Sequence, residues 1–134
     1  MTKLVDIEGV GEAYAQKLRD AGVATREALL EAGATAKGRK ELAERAGIAE
    51  KLVLGWVNRA DLSRIKGIGE EYADLLEAAG VDTIPELAQR RAENLYQKLV
   101  EVNEAKKLVR QLPTEARVAE WVEHAKGLPR VVSY

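Results

Sequence analysis

One short phrase occurs twice in this chain, and it limits the possible folds more than any other feature of the 134 residues. It reads Ile7-Glu8-Gly9-Val10-Gly11-Glu12 and then Ile65-Lys66-Gly67-Ile68-Gly69-Glu70. The matching continues through Tyr14 and Tyr72, Ala15 and Ala73, Leu18 and Leu76, Ala21-Gly22-Val23 and Ala79-Gly80-Val81, Thr25 and Thr83, and Leu29 and Leu87. All of these pairs share an offset of 58, with no gap across 23 positions. A register held that long marks an internal duplication. It predicts one domain made of two repeats, about residues 1–61 and 62–134.

Physically the phrase is apolar-x-Gly-apolar-Gly followed by a helical pattern. Glycine takes positive φ at little steric cost, so the chain can turn sharply there. The apolar residue between the glycines can point inward and pin the turn to a core. Behind the second glycine a new helix begins, with free backbone N–H groups that attract anions, phosphate above all. The phrase is not a dinucleotide fingerprint. Tyr14 and Tyr72 stand where a third glycine is needed, and no strand pattern precedes either turn.

On these residues the chain resembles the helix-hairpin-helix family over residues 4–23 and 62–81. That motif is two short antiparallel helices joined by a Gly-apolar-Gly turn. Gly9, Val10 and Gly11 match the turn, as do Gly67, Ile68 and Gly69. Ala15 and Ala73 fit the later small position, and Leu18 and Leu76 the apolar one. The resemblance implies turn amides that hold a DNA phosphate beside a monovalent cation, and no other cofactor. The whole chain also resembles an uncharacterised family of bacterial domains built from such repeats. One feature departs from the pattern. DNA-gripping members carry a basic or small polar residue after the second glycine, whereas this chain has Glu12-Ala13 and Glu70-Glu71. A carboxylate suits a helix's first turn but repels an arriving phosphate.

Charge bears on the same question. The formal net charge is −1, and residues 1–61 hold 10 basic and 10 acidic side chains against 11 and 12 in residues 62–134. A nucleic-acid binder usually shows a basic excess, so any such contact must come from a local patch. The densest basic cluster is Lys37-Gly38-Arg39-Lys40, at an expected helix start where the macrodipole disfavours cations. Lys66 lies within the second turn itself. There is no cysteine, no apolar run long enough to span a bilayer and no apolar leader, from which a cytoplasmic location and no membrane partner are expected.

No stretch alternates as a strand, so the expected fold class is all-α. Four Ala-Gly-apolar sequences, at Gly22, Gly33, Gly47 and Gly80, read as Schellman stops of short helices. Thr25, Thr83 and Thr114 read as N-caps. A short first helix is expected at residues 4–8, a longer one at 49–64 with Leu52, Val53, Trp56, Val57 and Ala60 as its apolar stripe, and another over 93–112. Trp56 corresponds to Trp121 at an offset of 65. Both tryptophans, Tyr14 and Tyr72 are expected in the core, and the tail at residues 130–134 is expected to pack back on the domain. His124 is alone, and Ser63 and Ser133 sit in no nucleophile motif, so no enzymatic activity is expected.

The function expected is nucleic-acid binding without sequence preference, through the amides of Gly9, Val10, Gly11, Gly67, Ile68 and Gly69, with help from Lys66, Lys37, Arg39 and Lys40. The alternative is a protein-interaction or scaffold module that keeps the fold without binding DNA. The near-neutral charge and the glutamates favour that alternative.

Overall fold

The computed structural model describes residues 3–7 and 10–133; the side chains of Asp6 and Glu70 fall outside the description. Among the described residues the chain is all-helical. A single 3₁₀ turn, Leu4–Asp6, precedes α1 (Glu12–Asp20), α2 (Arg26–Ala32), α3 (Ala36–Ala46), α4 (Glu50–Leu62), α5 (Glu70–Ala78), α6 (Ile84–Ala88), α7 (Ala92–Lys106) and α8 (Glu115–Gly127). An isolated antiparallel bridge joins Lys3 and Thr25. The chain divides into two compact units, Met1–Asp61 with Val131–Tyr134, and Leu62–Arg130.

In the first unit the apolar stripes of α1 to α4 close over one core. Leu18, Leu29, Leu42, Val53, Trp56 and Val57 are all buried in it, with Ala15 beneath Leu18 on α1. Full burial of each large side chain contributes about 1.5–3 kcal/mol. Thr25 and Thr35 begin α2 and α3 by accepting from Ala28 N–H at 3.1 Å and Gly38 N–H at 3.0 Å. At the end of α1, Gly22 takes φ 94°, and Val23 N–H reaches back to Leu18 O at 2.8 Å while Gly22 N–H reaches Arg19 O at 3.0 Å. These are the two bonds of a Schellman stop.

The second unit is built from α5 to α8. Leu75, Leu76, Leu87, Leu95, Leu99 and Trp121 form the middle of its core. Here α5 stops as α1 does, with Gly80 at φ 94° and Val81 N–H on Leu76 O at 2.9 Å. Thr83 caps α6, with Pro85 in the first turn where its missing N–H costs nothing. Thr114 caps α8 by accepting from Arg117 N–H at 3.1 Å.

Several expectations need correction. The first helix is only a 3₁₀ turn, because Ile7 is already extended at φ −81°, ψ 128°. Gly33 is no left-handed stop: its φ is −98°, and it is glycine because a Cβ would collide with the Val57 side chain. Leu52 does not join the α4 stripe and is 39% exposed. The helix expected to reach residue 112 ends at Lys106. Lys107 turns left-handed at φ 51°, and the Asn103 side chain takes over the backbone pairing, accepting from Val109 N–H at 3.0 Å and donating to Val109 O at 3.2 Å. That local bond offers Val109 an alternative to the helix ladder.

The tail packs as expected, and its partner is the first unit. Val132 is buried in the first core, and Ser133 N–H donates to Ala34 O at 2.7 Å. Arg39 ties the two segments together. The residue is 6% exposed, and its guanidinium donates to Gly33 O at 2.8 Å and Ser133 O at 2.7 Å. Buried carbonyls deprived of a charged donor cost about 1–3 kcal/mol. Arg39→Met should therefore lower stability by about that amount in chemical denaturation, whereas the exposed Lys40→Met on the same helix should change it by less than about 0.5 kcal/mol.

Candidate nucleic-acid interface

The second turn is closed by two short backbone bonds. Ile65 N–H donates to Leu62 O at 3.1 Å, and Ile68 N–H donates to Ile65 O at 3.1 Å. Gly67 takes φ 95°, the positive value that a type II turn needs at its third residue. Ile68 is buried and anchors the turn to the core. Gly69 then stands at the N-cap of α5 in extended conformation, φ −93° and ψ −170°, and its carbonyl starts the helix by accepting from Ala73 N–H at 2.9 Å.

The first turn shows the same bonds where it is described. Ile7 N–H meets Leu4 O at 3.0 Å, and Val10 N–H meets Ile7 O at 3.0 Å. Val10 is buried, and Gly11 is the extended N-cap of α1 at φ −78°, ψ 178°. Gly9, expected in this turn, lies outside the described residues.

The two glycines of the phrase thus have different reasons. Positive φ accounts for Gly67. It does not account for Gly11 or Gly69, whose extended backbones suit any residue, and a Cβ at either would meet nothing within 4 Å. What the missing side chain does at these two positions is leave the helix N-terminus bare. Neither α1 nor α5 has a side-chain cap, and α7, which starts after Arg91, has none either, whereas α2, α3, α6 and α8 each begin with a threonine hydroxyl in that role. No side chain at the N-cap of α1 or α5 therefore accepts from the first-turn N–H groups.

The charged neighbours sort differently from expectation. Lys66 is exposed beside Gly67, as the site requires. Lys37 and Lys40 are exposed on α3, a different element from either turn. Arg39, expected beside them at the surface, is instead buried in carbonyl contacts, because α3 turns that position toward the α2–α3 link and the tail. Glu12, expected to repel a phosphate at the first turn, is held by Arg19 at 2.5 Å. This pair is exposed and adds little stability, but it screens the carboxylate. Glu71 is exposed at the second turn.

A further basic residue reaches the second turn from α8. A Cβ placed on Gly67 would stand 3.3 Å from Trp121 Nε1 and 3.4 Å from Arg117 Nη2, so α8 brings a guanidinium to the second turn. Its only sequence signal is its place four residues before Trp121, one helical turn away. Each unit also holds one tyrosine–tryptophan pair behind its turn. Tyr14 and Trp56 lie 5.2 Å apart at 59°, and Tyr72 and Trp121 lie 5.3 Å apart at 52°. The tryptophans are core residues, as expected, and the tyrosines half-buried.

A family model matches residues 8–128, nearly the whole of both units. The chain belongs to the family described as "Domain of unknown function (DUF4332)". No curated protein matches it, and no solved structure does. In this DUF4332 domain no described helix is long and apolar enough to cross a membrane. Among the described residues no group of three or more His, Cys, Asp or Glu side chains is placed to hold a metal.

The two glycine roles can be separated by experiment. Gly67→Val puts a β-branched residue at φ 95° and against Trp121, and should cost about 1–3 kcal/mol. Gly69→Ser keeps an extended N-cap and supplies a capping hydroxyl, and should be neutral or stabilising by a few tenths of a kcal/mol, which is about what such a cap is worth over glycine. Thermal melting of the two variants beside the parent checks both.

Proposed function

We propose that this DUF4332 domain binds nucleic acid through the sugar–phosphate backbone, using its two Gly-apolar-Gly turns and reading no base sequence. This reading takes residues 4–23 and 62–81 as two copies of one helix-hairpin-helix unit. It rests on one observation above the others: the helices that follow both turns start at glycines that neither φ nor packing demands, with no side-chain cap. A bare helix start lets a phosphate approach the amides closely. Two such sites on one chain add avidity to weak individual contacts. Lys66 adds a cation at the second turn, and the Arg19–Glu12 pair blunts the repulsion at the first.

A second reading has support of its own. Val5, Leu52 and Val131 are large apolar side chains left exposed in the first unit, and a docking module for another protein would use such residues at its surface.

Fluorescence anisotropy of labelled duplex and single-stranded DNA at two salt concentrations distinguishes the readings. Log affinity should fall with log salt at a shallow slope, on the order of two to four phosphate contacts, and scrambled sequences should bind equally. Gly69→Ser should weaken binding without lowering the melting temperature, because its hydroxyl occupies the amides a phosphate would use. Replacing Glu70 and Glu71 by Gln should raise affinity by about two- to fivefold, as expected for exposed charges screened by water. Lys66→Ala should lower affinity and flatten the salt slope by about one unit. If the parent binds no DNA while sedimentation shows self-association that changes with Leu52→Asp, the docking module replaces this proposal.

A further inference from the structure

The two turns are not equal, and the larger part of the difference comes from a later helix. In the second unit α8 carries Arg117 to the edge of the turn, where its Nη2 would stand 3.4 Å from a Cβ on Gly67. That is van der Waals distance, so the guanidinium lies directly against the turn. It is held in place from behind. Trp121, one helical turn later, is buried and packs on Tyr72, whose hydroxyl donates to Gln111 O at 3.1 Å. The backbone at Arg117 is fixed as well, since its N–H donates to the Thr114 cap. The side chain itself is exposed, and among the described residues its guanidinium makes no ion pair or hydrogen bond. Arg64, Arg90 and Arg39, by contrast, each donate to a backbone carbonyl.

The corresponding position in the first copy, at the offset of 65 that relates Trp121 to Trp56, is Leu52. The counterpart of Lys66 at the offset of 58 is Glu8. One turn therefore has a lysine and an arginine assigned to it, and the other has neither.

We infer that Arg117 is a phosphate-binding residue that makes the second turn the principal anchor for a DNA phosphodiester, with the first turn as the weaker contact. The inference rests on the nucleic-acid reading above. A guanidinium presents paired N–H donors that match two oxygens of one phosphate. Set beside the bare start of α5 and the Lys66 ammonium, it surrounds a single phosphate with charge from the side chains and partial charge from the helix end. It also supplies the positive charge that Glu71 opposes.

The test is anisotropy with a short labelled duplex at two salt concentrations, for the parent, R117Q, R117K and L52R, with melting temperatures recorded for each. Arg117 is exposed, so R117Q should melt with the parent. It should bind about three- to tenfold more weakly at low salt, and its salt slope should fall by about one. R117K should restore the slope. L52R gives the first copy the residue of the second and should raise affinity and steepen the slope by about one. The inference is overturned if the parent binds duplex while R117Q binds with the same affinity and slope; the turn reading then survives on its amides and Lys66. A parent that binds duplex at neither salt overturns both.

Discussion

The structure depends on one small constraint: a turn closed by an apolar residue that must be buried. Ile68 sits between two glycines, donates its N–H to Ile65 O and places its side chain in the core. Those requirements together force the bend. Gly67 must go left-handed, Gly69 must be extended, and α5 must leave in a set direction. Val10 is placed the same way between Ile7 and Gly11. Because the anchor is apolar and inside, the polar backbone of the turn is presented outward. Burial of Ile68 and exposure of Lys66, Gly67 and Gly69 are two consequences of one side chain's position.

A second layer of structure supports this arrangement from behind. Each unit sets a tryptophan from a later helix against the tyrosine three residues beyond the second glycine of its turn, at nearly the same distance and tilt. Tilted aromatic pairs contribute about 0.5–1.5 kcal/mol beyond their area. In the second unit the same helix that delivers Trp121 delivers Arg117, so packing and charge at this turn arrive on one rigid element. Several arginines elsewhere are engaged within the fold. Arg39 holds the tail, Arg64 and Arg90 hold backbone carbonyls, and Arg19 holds Glu12.

Much of the fold was legible because the signals were local. Thr25, Thr83 and Thr114 cap helices where their sequence positions indicated, since a cap needs only the next three residues. The stops at Gly22, Gly47 and Gly80 have positive φ for the same reason. Gly33 shows the limit. Its sequence context matches the others, but what excludes a side chain there is Val57, a residue distant in sequence. The end of α7 was misread because the apolar spacing runs on to Leu112. The helix is ended instead by a side chain, Asn103, pairing with Val109. The stripe of α4 was misread at Leu52 because periodicity gives a face but not how much of it a neighbour covers.

The all-helical class, the apolar-Gly-apolar-Gly turns and the residues that anchor them are written in local sequence. Each of these follows from short-range backbone geometry and from which side chains water rejects. How the cations are used depends instead on long-range packing. Arg39 reads as part of a surface cluster until a carbonyl from the far end of the chain is found on it. Arg117 reads as one charge among many on α8 until Trp121, seated in the core, brings it against Gly67. The physical reason is the same in both cases. A long flexible cation takes its role from whichever donor or acceptor surfaces the packed elements bring within a few ångströms, and no spacing along the chain encodes that meeting.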